Sequence, residues 1–134
     1  MGVALTKDSI DLGIVTRDAE AALKFYRDTL GLELVGEMPM PGTGTMYRLM
    51  CGTSLIKVVA LEKEPKGGSA APGGIRGATG YRYWTMSVSN LAEMLEACTA
   101  GGYKVVVPET EIRAGVTIGM VEDPDGNWVE FLST

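Results

Sequence analysis

Apolar and polar residues alternate along Ile10-Asp11-Leu12-Gly13-Ile14-Val15, which predicts a strand with Ile10, Leu12 and Ile14 on one face. The period then lengthens. Ala22, Phe25, Tyr26, Thr29 and Leu30 recur at helical spacing, with Asp18 placed to cap the start and Gly31 to close the end. Three more strands are predicted at residues 33–37, 45–50 and 54–61, separated by Pro39, Pro41, Gly42, Gly44 and Gly52. After a stretch rich in Gly, Ala and Pro the sequence begins the same pattern again.

In the second copy, residues 81–88 alternate, with Trp84, Met86 and Val88 on one face and Tyr81, Tyr83, Thr85 and Ser87 on the other. Asn90 can cap a second helix, with Glu93 completing a capping box; Leu91, Met94, Leu95 and Cys98 form its apolar stripe. Gly101-Gly102 ends it. Strands follow at 104–107, at 110–113 running irregularly on through 115–121, and at 127–132, with Asp123-Pro124-Asp125-Gly126 as a hairpin turn. Superposed, the copies match Asp11 with Tyr83, Asp18 with Asn90, Gly31 with Gly102 and Lys57 with Glu130, an offset of about 71 to 73 residues.

The predicted architecture is therefore α+β: two βαβββ modules, at about residues 8–62 and 80–134, within a single domain spanning 1–134. The Gly/Pro-rich segment 63–79 joins them as a linker or mobile flap. Each helix covers the apolar face of its sheet, so the other faces are expected to line a curved cleft for a small molecule.

Composition narrows the partners. With 134 residues, 46% hydrophobic and 22% charged, the chain suits one globular domain. No run approaches the ~18 apolar residues of a membrane span, and the first residues lack the pattern of a secretory signal. A soluble cytoplasmic protein is expected. A net charge of −5 argues against a nucleic-acid partner. The two cysteines, Cys51 and Cys98, read as buried free thiols, and Met38, Met40, Met46 and Met50 read as flexible filling around the second and third strands.

The run Asp11 to Asp18, followed by Phe25-Tyr26-Arg27-Asp28-Thr29-Leu30-Gly31-Leu32, resembles the first strand and "FY…LG" helix of the vicinal-oxygen-chelate superfamily. That superfamily includes glyoxalase I, bleomycin-resistance proteins and ring-cleaving dioxygenases. Asp123-Pro124-Asp125-Gly126-Asn127-Trp128-Val129-Glu130-Phe131 resembles its "DPDGN…E" closing hairpin. The resemblance implies the glyoxalase/bleomycin-resistance fold and a homodimer. It also implies four metal-ligand positions, which fall on Asp11, Lys57, Tyr83 and Glu130. Among these only Glu130 keeps the usual identity, and the chain contains no histidine.

Lys57 would place an ammonium where a metal belongs, so no cofactor is favoured. Asp11 and Glu130 are the oxygen donors left for a divalent ion such as Mg²⁺ or Mn²⁺. Asp11, Lys57, Tyr83 and Glu130 are instead expected to face the cleft as a metal-independent acid–base site of isomerase or lyase type. In that reading Lys57 holds a carboxylate or enolate, Glu130 or Asp11 is the base and Tyr83 a donor. A structural ion-pair network is the bland alternative. Two other functions stay open: a protein that sequesters a ligand or antibiotic, and a metal-dependent glyoxalase-like lyase or dioxygenase with an unusual ligand set. Tyr47, Tyr81 and Trp128 share the inward parity as stacking surfaces, with Arg82 and Arg113 at the rim.

Overall fold

The computed structural model describes residues 2–134, which divide into two compact units that meet between Lys66 and Gly67. Each is described by itself.

In the first unit the alternating run becomes strand β1 (Asp11–Thr16), and the Asp18 side chain accepts a hydrogen bond from the Ala21 amide to cap helix α1 (Ala19–Leu23). The helix then widens: Lys24–Thr29 is wound as a π-helix, with the Leu30 amide bonded to the Phe25 carbonyl five residues back. Phe25 and Tyr26 sit in this segment, both fully buried and packed edge to face with centroids 4.8 Å apart. Two consecutive aromatic residues both need the core, and the wider turn lets both reach it. Strands β2 (Glu33–Met40), β3 (Gly44–Cys51) and β4 (Ser54–Leu61) complete the unit in the sheet order β1-β4-β3-β2. The β1–β4 pair is parallel and the others antiparallel. Ile14, Leu49, Ile56 and Val58 form the core face with the helical residues Ala22 and Leu23.

The second unit repeats the plan. Strand β5 (Tyr83–Ser87), helix α2 (Leu91–Ala100), and strands β6 (Val105–Arg113), β7 (Val116–Glu122) and β8 (Trp128–Ser133) give the order β5-β8-β7-β6, again with the outer pair β5–β8 parallel. Leu91, Leu95 and Cys98 of α2 are buried, as are Val121, Val129 and Phe131. At Gly119 the helix approaches the sheet closely: a Cβ there would lie 2.8 Å from Leu95 Cδ1. The two predicted strands at 104–107 and 110–113 are one bulged edge strand, which tolerates Pro108 because its outer side has no sheet neighbour. Asp123 organises the last hairpin: its Oδ1 accepts from the amides of Asp125 and Asn127, and its Oδ2 from Asn127 Nδ2, all at 2.9 Å.

Three expectations differ from these observations. The Asn90 side chain donates to Glu93 Oε2 at 2.8 Å and caps no backbone amide, so the capping box is replaced by a side-chain pair. Cys51 is half-buried rather than buried, because it lies at the end of β3 beside the Gly52-Thr53 turn. The glycine-rich segment is no free flap: residues 67–80 belong to the second unit and include a 3-10 turn, Gly74–Arg76, with Gly74 buried. Among the described residues no helix is long and apolar enough to cross a membrane.

Candidate functional site

In each sheet one face is covered by its helix, and Asp11, Lys57, Tyr83 and Glu130 lie on the other. Neighbouring strands share the pleat, so residues paired in register point to the same side.

On the first unit, Gly13 pairs with Lys57 and Lys57 with Arg48. Asp11, Gly13, Lys57 and Arg48 therefore occupy one face, opposite to that of Ile56, Val58 and Leu49. Asp11 joins two ammonium groups there: its Oδ1 lies 2.6 Å from Lys7 Nζ and its Oδ2 3.5 Å from Lys57 Nζ. The hydrogen bond from Lys7, reinforced by the charges of Lys7 and Lys57, holds the Asp11 carboxyl below its ordinary range. That weakens Asp11 as a proton acceptor and leaves it as a counter-charge.

Tyr47, expected on the face of Lys57, is on the other side. The two-residue turn Gly52-Thr53 pairs Cys51 with Ser54, and counting back puts Tyr47 opposite Val58 and Arg48 opposite Lys57. Tyr47 instead meets Glu37, its partner across β2; burial first, then the Glu37 carboxylate, pushes its phenol up. Arg48 was missed, although the length of the turn carries the information.

On the second unit, Glu130 pairs with Thr85 on one side and Met120 on the other. Glu130 is 8% exposed, and Thr85 Oγ1 donates to its Oε1 at 2.5 Å. Among the described residues that hydroxyl is its hydrogen-bonding partner, and no ammonium or guanidinium pairs with it. Tyr83 shares this face but lies one pair along, opposite Trp128, and is 49% exposed. The expected Glu130–Tyr83 association is thus a Glu130–Thr85 contact. The parallel register selects Thr85 from the row Tyr83, Thr85, Ser87.

The four ligand-binding expectations on this unit, Arg82, Trp128, Tyr81 and Arg113, lie as follows. Arg82 holds the glycine-rich segment, with Nε donating to the Gly74 carbonyl at 2.7 Å and Nη2 to those of Ala71 at 2.6 Å and Pro72 at 3.4 Å. Its Nε and Nη2 donors are committed to backbone, so it clamps this segment. Trp128 presses its indole against Gly74, and its Nε1 donates to Glu122 Oε2 at 3.3 Å. One stacking surface of the ring is covered by the chain itself. Tyr81 lies before β5 and is fully exposed, and Arg113 ends β6 opposite Val116.

The resemblance implies a divalent metal, and the residues present do not fit one. Asp11 is already bonded to two cations, which a metal would have to displace. Lys57 has no lone pair to offer while protonated. Histidine is absent from the chain, and among the described residues no three Asp, Glu or Cys side chains converge into a ligand set.

Comparison with known proteins gives a consistent family. Residues 9–131 match the family model of the Glyoxalase/Bleomycin resistance protein/Dioxygenase superfamily. A glyoxalase family protein from Bacillus cereus superposes with a TM-score of 0.84 at 16% identity, covering 98% of this chain and 95% of that one. A lactoylglutathione lyase from Agrobacterium tumefaciens superposes with a TM-score of 0.64 at 24% identity, covering 92% and 91%. A glyoxalase family protein from Enterococcus faecalis gives 0.69 at 19% identity, with 96% of each chain covered. No match exists among curated protein sequences. At such identities the structural likenesses establish the fold.

Proposed function

The chain belongs to the glyoxalase/bleomycin resistance protein/dioxygenase superfamily, and from that premise we propose that it is a small-molecule enzyme of isomerase or lyase type that uses Glu130 as its acid–base group without a metal. The observation that carries the reading is the state of Glu130: a carboxylate 8% exposed, steered by one neutral hydroxyl and, among the described residues, paired with no cation. Thr85 occupies Oε1 and leaves Oε2 without a hydrogen bond. An oriented carboxylate in a nearly buried side chain, with one oxygen still accessible, is suited to take a proton from carbon next to a carbonyl. The C–H bond breaks, its proton passes to Oε2, and the electron pair moves onto the carbonyl oxygen as an enolate. Returning the proton to a different atom completes an isomerisation; expelling a β-substituent instead completes an elimination.

The substrate class is a small carbonyl or carboxylate compound. The test is proton exchange: a panel of small ketones, hydroxy acids and keto acids is incubated with the protein in D₂O, and loss of the α-proton signal is followed by NMR. Wild type is expected to catalyse exchange in at least one compound, and Glu130→Gln to lose about 10² to 10⁴ of that rate. Exchange unaffected by Glu130→Gln removes the acid–base reading. Ligand binding without any exchange by wild type favours the sequestering alternative, for which the exposed rings of Tyr81 and Tyr83 would supply contact area.

A further inference from the structure

Arg48 and Lys57 are direct cross-strand partners on the polar face of the first sheet. Like charges placed directly opposite one another destabilise a sheet, and here the repulsion is only partly relieved. Lys57 has Asp11 at 3.5 Å, but Asp11 is held more tightly by Lys7, at 2.6 Å. Arg48 makes no ion pair or hydrogen bond among the described residues. Glu33, on the neighbouring strand opposite Met50, lies beyond ion-pair distance of it. The row Lys7, Asp11, Lys57, Arg48 thus carries two net positive charges on a chain whose overall charge is −5.

The neighbours of the pair on this face are small or apolar. On its other side Arg48 faces Gly36, which has no side chain; a Cβ there would come 3.6 Å from Arg48 Cδ and 3.7 Å from Nη1. The guanidinium lies along the space that glycine leaves. Flanking it on the same face are Met46, directly opposite the half-exposed Met38, and Met50, opposite Leu55. Thioether side chains adapt to flat or irregular apolar bodies.

We propose that Arg48 and Lys57 form a receptor for the carboxylate of an apolar or aromatic acid whose body rests on Met38, Met46 and Met50. The planar fork of Arg48 matches both oxygens of a carboxylate, and Lys57 adds a point charge. Bound anion would neutralise two cations that the register places on paired positions of neighbouring strands, Arg48 leaning toward Gly36 and Lys57 toward Asp11. The inference rests on the small-molecule reading for the kind of ligand, but it requires binding alone and makes no use of Glu130.

Calorimetric titration of the intact chain with naphthoate, and with the neutral isostere naphthamide, tests it. Naphthoate is expected to bind about tenfold or more tighter than naphthamide. Arg48→Gln and Lys57→Gln should each weaken naphthoate about tenfold and leave naphthamide unchanged. Arg48→Lys, which keeps the charge and the fold but loses the fork, should fall between. Absence of naphthoate binding to wild type, equal affinity for the amide, or wild-type affinity in both Arg48→Gln and Lys57→Gln overturns the receptor. Each of these results leaves the Glu130 reading standing.

Discussion

Gly74 lies flat against the indole of Trp128: a Cβ built on this glycine would sit 2.1 Å from both Cδ2 and Cε2 of the ring. Its φ of +56° is also one that L side chains resist. Gly74→Ala should therefore destabilise the second unit by about 2–4 kcal/mol, combining backbone strain with overpacking. Urea denaturation followed by tryptophan fluorescence measures this. Gly80→Ala is the control, since Gly80 has a φ of +106° with nothing within 4 Å and tests backbone strain alone. Equal losses at both positions would mean that the indole contact contributes nothing.

The same segment is also held by Arg82. Removing its side chain leaves the carbonyls of Ala71 and Gly74 without their charged donor. Arg82→Ala should make cleavage within residues 67–80 roughly tenfold faster in limited proteolysis, the effect of losing about 1.4 kcal/mol of local order. Arg82→Lys should recover little, because one ammonium does not reproduce a fork that spans two carbonyls. Cleavage at the wild-type rate in Arg82→Ala would show that Trp128 packing alone orders the segment.

Thr85 is the polar contact of a nearly buried carboxylate. Thr85→Val keeps the shape and removes the hydroxyl, and should cost about 1–3 kcal/mol. Thr85→Ser should restore most of that. In the double variant Thr85→Val with Glu130→Leu both polar partners are gone, and stability should exceed that of Thr85→Val alone. A strictly additive double variant would show that the two side chains are not coupled.

The repeat and its element order were legible because the hydrophobic period reports directly on strand and helix, and because the same order occurs twice. Glu130 was legible for a similar reason: Val129 and Phe131 on either side are apolar and buried, which leaves Glu130 on the opposite face. What failed was pairing across strands. Tyr47 looks inward if β3 is read alone, and its true face follows only from the Gly52-Thr53 turn and the register it imposes. Arg82 and Trp128 look like ligand groups because a glycine-rich stretch offers no periodicity from which to see that it packs on them. The widened turn at Lys24–Thr29 was not legible, because the spacing of Phe25 and Tyr26 also fits an ordinary helix.

The cysteines separate two environments that the sequence makes look alike. Cys98 is fully buried on α2, and burial pushes its thiol up to about 11; Cys51, half-buried, is raised by burial too. At pH 8, about the ordinary thiol range, a disulfide reagent should modify Cys51 in the native protein. Cys98 should react only after unfolding, at least about 100-fold more slowly. Cys51→Ser should then abolish native-state labelling, and labelling that persists in this variant would mean that α2 opens readily.

Asp11 sets a pH dependence whose sign follows from its neighbours. Its folded pKa is depressed, chiefly by the hydrogen bond from Lys7 and then by the Lys7 and Lys57 charges. A depressed carboxyl contributes stability that is fully present above its unfolded pKa, about 3.9. The contribution is lost as pH falls through the lower folded value. Lys7→Ala should raise the Asp11 titration midpoint in a carboxyl-carbon NMR titration, and Lys57→Ala should raise it less, because the more distant ammonium is the weaker cause. The stability gap between wild type and Lys7→Ala should appear above pH ~4 and close below the folded midpoint. Both groups are solvent-exposed, so added salt should shrink the shift. If Lys7→Ala leaves the midpoint in place while Lys57→Ala moves it, Asp11 belongs to Lys57. The cation excess at Arg48 and Lys57 would then be smaller than the carboxylate receptor requires.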